Sequence, residues 1–535
     1  MSEIVVELFD KSHFGNTPSG RFAAVTDSKV KSSQLIFLVI LLIGSFYLTT
    51  IRQGHYWGDD YAVYIQHAKN IVEGAEYDRF NYLYLPSYVG PGSYPPIFPL
   101  FLTPVYWLFG MNLMAMKVAV TLAFMFSLWL LTRILKDYLT VKQQAILLIM
   151  AGLNPYFWNL KDRIESEMLF CAAVNLSVYI VCKFYKSSVI GLAKLAYVLA
   201  TGVSFYLAYG TRSAGLVLLP CLVLYDILRN RKLSWPSLYS IGVTTVTIAL
   251  VIIQSFALRS DRSYVEQVQA GSQNFLYNWM VFIWQNIPRY TFSLTELWDN
   301  GYSKLFRISL AVLVSGLAVV GFLAQARRKA TFLEVFVALY AISIVIVPMT
   351  GGIRYMLPIV PFYMFYALQG VMALPDNGGI RKCGIAAVTL AIIATYALNY
   401  SSQDYNEIPN GITKAEAADI FDYIKKQTTE NDVIIFTKPR ALALLTERKS
   451  SFYPRRESDG KIWGYFDKIR ATHIVVGPNG EEPYDQAFLQ GFVSRNMNLL
   501  RKEYVNADFV VYRITSLPNT ETDTGRESGV KFNRN

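Results

Sequence analysis

The run QLIFLVILLIGSFYLTTI (34–51), with HYWGDDYAVYIQHAKNIVEG (55–74) just beyond it, decides how this chain is read. The first stretch carries no charge and approaches the roughly 20 apolar residues that a membrane-spanning helix needs. A polar leader precedes it and no small-residue cleavage site follows, so it reads as a retained helix rather than a signal peptide. In the second stretch, Tyr61, Tyr64, Ile65, Ala68, Ile71 and Val72 recur at helical spacing and form one face. Asp59 and Asp60 therefore stand at a helix N-terminus, close to the end of an apolar span.

Further apolar blocks follow at about 113–132, 144–160, 166–182, 190–208, 213–228, 238–257, 305–324, 331–348, 355–373 and 384–399. The 535 residues are 53% hydrophobic and 17% charged, against about 25% charged in an ordinary soluble domain. A disordered chain, a disulfide-stapled module and a simple soluble enzyme are all excluded. Lysine and arginine mark alternate loops. Lys29 and Lys31 precede the first block, and Arg133, Lys136 and Lys142 follow the second. The pattern returns at Lys183, Lys186 and Lys194, at Arg229, Arg231 and Lys232, at Arg327 to Lys329, and at Arg381 and Lys382. Positive residues stay on the cytoplasmic side. The alternation thus predicts a plasma- or inner-membrane protein with about eleven transmembrane helices and a cytoplasmic N-terminus. The segment YPPIFPLFLTPVYWLFG (94–110) would break it if counted as a crossing, and its prolines favour a helix lying on the membrane surface.

This gives a cytoplasmic leader at 1–33, a transmembrane domain at 34–399 with long outer loops at 52–112 and 258–303, and an extracytoplasmic tail. Long ordered loops usually carry function. In the second loop, Trp279, Trp284 and Trp298 read as an interfacial belt. The tail alternates an amphipathic helix at 415–427, a strand at 432–439, a helix at 440–448 and strands at 472–478 and 508–514. That pattern predicts a small C-terminal α/β domain over 400–515 and a polar, disordered end at 516–535.

Cys171, Cys182, Cys221 and Cys383 show no metal-ligand spacing, and His13, His55, His67 and His473 form no paired motif. Zinc and haem chemistry are not indicated. The net charge of +11 comes from loops between apolar blocks, so it is no nucleic-acid signal.

One aspartate suffices to cap a helix. Two adjacent ones beside a bilayer repel each other, and intramembrane or juxtamembrane acids usually have a task. A carboxylate there can take a proton from an acceptor hydroxyl or amine. The helix N-terminus lowers its pKa, while burial and the neighbouring aspartate raise it.

The order GDDYAVYIQHAKNIVEG, then SYPPIFPLFLTPVYWLFG (93–110), resembles the first outer loop of GT-C glycosyltransferases, in particular the protein O-mannosyltransferase and aminoarabinose transferase group. In that group an acidic pair after the first helix carries the base, and a surface helix of YPP type follows. By spacing to Tyr64 and Ala68, Asp60 matches the family aspartate; by distance to Gly74, Asp59 does. The resemblance also brings Tyr94 forward as an acceptor- or sugar-site candidate.

NLKDRIESEMLF (159–170) places Arg163, Glu165 and Glu167 at the entrance of a span. SEMLF is similar to a short element of the same transferases and selects Glu167, with Arg163 beside it; Glu165 reads as a solvated loop charge. In YGTRSAG (209–215), Arg212 sits in a short apolar turn and needs a carboxylate or an anion as partner. MTGGIRYMLPIVPF (349–362) leads Arg354 and Tyr355 into a helix interrupted by Pro358 and Pro361. It resembles a late outer-face motif of the group, whose arginine faces a lipid-linked phosphate. A guanidinium suits that task through paired hydrogen bonds and by neutralising the leaving charge.

The resemblance implies an inverting transferase that moves a single sugar from a polyprenyl-phosphate donor to an acceptor (lipid, glycan or protein) at the outer face. Asp60 or Asp59 would be the base, with Arg354, Tyr355 and Arg212 on the phosphate. No cofactor is required; a divalent cation could sit among Asp59, Asp60 and Glu167 if they converge. A ligase or polymerase using a lipid diphosphate is the alternative. A transporter is disfavoured by the absence of internal repeats, and no nucleotide-binding loop is visible.

Overall fold

The computed structural model describes residues 22–85, 93–187, 191–230, 237–258, 275–347, 352–375, 379–408, 410–478 and 483–516. Most of the leader, the loop residues Arg259, Asp261, Arg262, Tyr264 and Glu266, the start of the MTGG turn and the terminal 517–535 lie outside the described residues. The chain divides into two compact units. The first comprises Met1–His55, Tyr64–Arg79 and Ser93–Ile408; the second comprises Tyr56–Val63, Phe80–Gly92 and Pro409–Asn535.

The first unit is helical. Its long elements are α1 (Phe22–Thr49), α4 (Leu113–Leu135), α7 (Glu167–Lys186), α8 (Leu192–Thr211), α10 (Leu238–Leu258), α12 (Lys304–Lys329) and α15 (Ile380–Ser401). Between them stand α2 (Asp60–Glu73), whose first turn belongs to the second unit, and α3 (Ile97–Phe109). The others are α5 (Val141–Gly152), α6 (Pro155–Leu160), α9 (Leu218–Asn230), α11 (Phe275–Ser293), α13 (Phe332–Ile346) and α14 (Val360–Ala373). Among the described residues, six helices are long and apolar enough to cross a membrane, and five shorter ones are apolar. This is an integral membrane protein.

Two expected helices change. The block 144–160 is not one helix: Gly152 ends α5, and Asn154 caps α6 by accepting from the Tyr156 N–H at 3.0 Å, with Pro155 in the first turn. The predicted helix at 213–228 opens as a 3₁₀ turn at Ser213–Val217 before α9. The outer loop 258–303 contains α11, nineteen residues long. Packing relies on small residues, as is usual for helices in membranes. α12 and α14 meet at Gly321 and Gly370, where an added Cβ would come within 1.9 Å of Tyr366 O and of Leu317 O respectively.

The second unit is built on a six-stranded sheet in the order β1-β3-β2-β4-β6-β5. Its strands are β1 (Tyr82–Leu83), β2 (Val433–Ile435), β3 (Lys449–Ser451), β4 (Ala471–Val476), β5 (Leu500–Val505) and β6 (Val510–Ile514). The first four in the order pair in parallel, and β6 pairs antiparallel with both β4 and β5. Helices α16 (Ala415–Gln427), α17 (Pro439–Thr446), α18 (Asp459–Ile469) and α19 (Pro483–Arg495) accompany the strands. Ile435 and Ile474 pack with Trp463 and Phe466 of α18 and Phe492 of α19 in its core. β1 comes from the first loop, not from the tail. Trp57 also belongs here, buried among Phe421, Phe436 and Phe509 at ring distances of 5.8–5.9 Å. The tail is therefore not a unit by itself.

Candidate active site

In the first unit, α7 begins at Glu167, α8 delivers Arg212 immediately after its last residue, and a 3₁₀ turn at Gly352–Tyr355 carries Arg354. Gly352 opens that turn at φ +57°, a region favourable to glycine. The three side chains meet. Glu167 Oε1 accepts from Arg354 Nε at 2.6 Å and from Arg212 Nη1 at 2.8 Å. Arg354 Nη2 also reaches Glu165 Oε2 at 3.2 Å. The carboxylates are buried, whereas Arg354 keeps 29% of its side chain accessible and Arg212 17%. Arg163 lies at the margin, 4.0 Å from Glu165 and partly exposed. Glu165 is not the solvated charge that its loop suggests: it is enclosed, with Arg354 and Arg163 as partners.

An aromatic wall joins this cluster. The Arg212 guanidinium lies over Tyr355 at 5.2 Å, and the Tyr340 hydroxyl donates to the Tyr355 carbonyl at 2.9 Å. Arg212 Nη1 donates to Ser166 Oγ at 3.2 Å, and Ser166 Oγ shares a hydrogen bond with the Tyr64 hydroxyl at 3.1 Å. The Tyr64 ring lies tilted against Tyr94 with centroids 4.8 Å apart, and the Tyr94 N–H donates to His67 Nε2 at 3.3 Å. Tyr94, Arg212, Glu167, Arg354 and Tyr355 thus form one connected set.

The same unit holds a second charge group, which the sequence reading did not single out. Asp162 accepts from the Arg52 backbone N–H at 2.9 Å, Arg52 Nε at 2.7 Å and Lys161 Nζ at 2.7 Å. Lys117 Nζ donates to the Arg52 and Gly54 carbonyls, and Lys161 sits 3.6 Å from the Trp158 ring centre. All four charged groups are buried. Burial pulls the Lys161 ammonium down to about 8 against the opposing pull of Asp162. The Ile164 N–H donates to His55 Nε2 at 3.0 Å, tying the run that carries Glu165 and Glu167 to the end of the first loop's entry.

The acidic pair belongs to the second unit. Asp60 Oδ1 lies 3.1 Å from Arg440 Nη1, and Asp59 Oδ1 accepts from the Ala441 N–H at 3.3 Å. Arg440 stands in the first turn of α17, fully buried, with its guanidinium 5.3 Å from the centre of the Tyr82 ring. Asp59 is half-buried. Burial dominates and pushes its carboxyl up to about 6; Arg440, Lys438 and the Ala441 N–H pull it down, and Asp60 pushes it up. The opposition foreseen from sequence is thereby resolved in favour of burial. Among the described residues, no group of three or more His, Cys, Asp or Glu is arranged to hold a metal ion.

No family model matches the sequence, and no curated protein matches it. Solved structures do. ArnT from Cupriavidus metallidurans bound to undecaprenyl phosphate aligns at a TM-score of 0.54 and 13% identity, over 91% of this chain and 98% of that one. The oligosaccharyltransferase AglB of Archaeoglobus fulgidus, in complex with an inhibitory peptide and a dolichol-phosphate, aligns at 0.55 and 10%, over 87% and 72%. The mycobacterial arabinofuranosyltransferase AftD aligns at 0.51 and 12%, over 91% and 40%. The chain has the fold of these GT-C glycosyltransferases.

Proposed function

We propose that the chain is an inverting glycosyltransferase that moves a single sugar from a polyprenyl-phosphate donor to an acceptor at the outer face of the membrane. The observation that carries this reading is the gathering of Arg212 and Arg354 on one buried carboxylate, with part of Arg354 accessible. Two fixed guanidinium groups suit a phosphate monoester and can neutralise it as it leaves. Two proteins of the same fold carry polyprenyl phosphates, undecaprenyl phosphate in one and a dolichol-phosphate in the other.

In the proposed step, Asp59 or Asp60 takes the proton of an acceptor hydroxyl or amine. The freed atom bonds to the anomeric carbon as the carbon–oxygen bond to phosphate breaks on the opposite face. The step uses no cofactor. Of the alternate basic loops, those after α7, α9 and α12 begin in the last turns of these helices, and Glu167 is at the other end of α7. That agrees with a cytoplasmic side at these basic ends and an outer side at Glu167; eleven crossings, a cytoplasmic N-terminus, α3 on the membrane surface and both Arg354 and the tail outside belong to the same proposal.

Mass spectrometry of lipids carried by a detergent-purified Asp59→Asn/Asp60→Asn double variant tests the reading. A polyprenyl monophosphate bearing one sugar is expected, trapped because the base is gone. A lipid diphosphate carrying an oligosaccharide would replace the single-sugar donor. Bulk phospholipid alone, on folded protein, would overturn the reading.

A further inference from the structure

We infer that Arg440 is a positioning residue that divides the two adjacent aspartates, holding Asp60 as a fixed anion and leaving Asp59 as the proton acceptor. This deepens the transferase reading and rests on it. The two carboxylates are chemically identical neighbours in sequence; what distinguishes them is the first turn of α17. Asp60 makes the ion contact with the Arg440 guanidinium at 3.1 Å, whereas Asp59 accepts from the Ala441 N–H at 3.3 Å and feels Arg440 and Lys438 only through space.

Arginine stays ionised in proteins. Arg440 is only 1% exposed, and a buried guanidinium requires a negative partner. Protonating Asp60 would remove such a partner, so Asp60 is a poor proton acceptor. Tyr82 covers the guanidinium and helps to fix its position. The charged and titratable groups around Asp59 are Arg440, Lys438, Asp60 and Tyr82. Burial outweighs the cations there, which puts the Asp59 carboxyl at about 6, suitable for accepting a proton near neutrality. In the transfer, the acceptor's proton goes to Asp59, the acceptor atom bonds to the anomeric carbon, and the electron pair of the broken bond leaves on the phosphate oxygen.

The test uses the full chain in detergent and dicyclohexylcarbodiimide, which labels protonated carboxyls, with the sites located by peptide mass spectrometry between about pH 5 and pH 8. Asp59 is expected to label with a midpoint near 6, and Asp60 to label about tenfold less throughout. Arg440→Met should raise Asp60 labelling several-fold, and Arg440→Lys should restore the parent pattern. Equal labelling of both aspartates in the parent, or an unchanged pattern in folded Arg440→Met, would overturn the division. Should Arg440→Met fail to fold, the single variants decide. Release of polyprenyl monophosphate from a membrane lipid extract is expected to fall roughly 10²–10⁴-fold in Asp59→Asn and only about tenfold in Asp60→Asn, with a shifted pH midpoint. The reverse ranking would overturn the proposal. Labelling as expected without any turnover by the parent would overturn the transferase reading and keep the division of charge.

Discussion

Arg354 donates from Nε to Oε1 of Glu167 at 2.6 Å, joining positions 187 residues apart. Because the same oxygen also takes Arg212, one carboxylate orients two cations that would otherwise repel. Glu167→Gln keeps the shape and removes the charge. It is expected to weaken competition by a polyprenyl monophosphate about tenfold and to slow turnover about 10²-fold. Arg354→Ala should cost roughly 10²–10³ in kcat, and Arg354→Lys should rescue little because the paired donors are lost. A Glu167→Gln protein with unaltered rate and affinity would take the cluster out of the mechanism.

The position of Asp59 near 6 gives the pH dependence a definite sign. A base works when ionised, so activity is full above that value and is lost as pH falls through it. The profile of kcat/KM should drop about tenfold per pH unit on the acid side and level off above about pH 7. Initial rates from about pH 4.5 to pH 8 measure it directly. A profile that rises toward acid would remove Asp59 from the role of base.

Both the Glu167–Arg212–Arg354 cluster and the paired aspartates of the second unit leave signals in the sequence, for physical reasons. Charges beside apolar runs stand out, which marks Asp59, Asp60 and Arg212, while Glu167 and Arg354 are singled out by the resemblance of SEMLF and of the Arg354-Tyr355 motif to elements of GT-C transferases. The remaining members were hidden by context. Lys161 and Asp162 sit in a charge-rich run that reads as a loop, yet they are buried against Arg52 and Lys117 from distant positions. Arg440 lies within an apolar helical run, and its partner is 380 positions earlier. The fold shows the same contrast. Long apolar blocks announce helices, whereas the short polar strand β3 (KSS) is buried only because β1 and β2 flank it. The break between α5 and α6 did leave a signal, the Asn154-Pro155 pair at a capped helix start.

Asp162 is the anion for two buried cations, Arg52 and Lys161. Replacing it by asparagine would leave their charges uncompensated in the interior, a change that typically costs about 3–5 kcal/mol. Thermal unfolding in detergent should therefore show a large loss for Asp162→Asn. Asp137→Asn is the control: its partner Lys186 is half-exposed, and the expected change is under about 1 kcal/mol. Equal midpoints for both variants would contradict the buried cluster.

Gly321 and Gly370 leave no room for a methyl group, since in each case the added Cβ would meet backbone oxygen rather than a flexible side chain. Gly321→Ala is expected to push α12 off α14 and to destabilise by at least about 1–3 kcal/mol. Gly316, on the same helix with nothing within 4 Å of its added Cβ, should tolerate alanine. A comparison of detergent melting midpoints for the two variants checks this, and indistinguishable values would rule out the close contact.

Trp57 lies two residues before Asp59 and packs against Phe421, Phe436 and Phe509 of the tail. The segment bearing the acidic pair is thus part of the second unit's hydrophobic core, and the tail's own sequence lacks one of that core's largest side chains. Trp57→Ala should destabilise this unit by about 3–5 kcal/mol, seen as faster limited proteolysis of residues 409–516 while the helices stay protected. Expressed alone, 409–516 should be unstable for the same reason, because it lacks both Trp57 and β1. A fragment spanning 55–85 added in trans should slow its proteolysis, and the same fragment with Trp57→Ala should not. A tail fragment that resists protease unaided would show that Trp57 is peripheral to this core, and the anchoring of Asp59 and Asp60 would then rest on α17 alone.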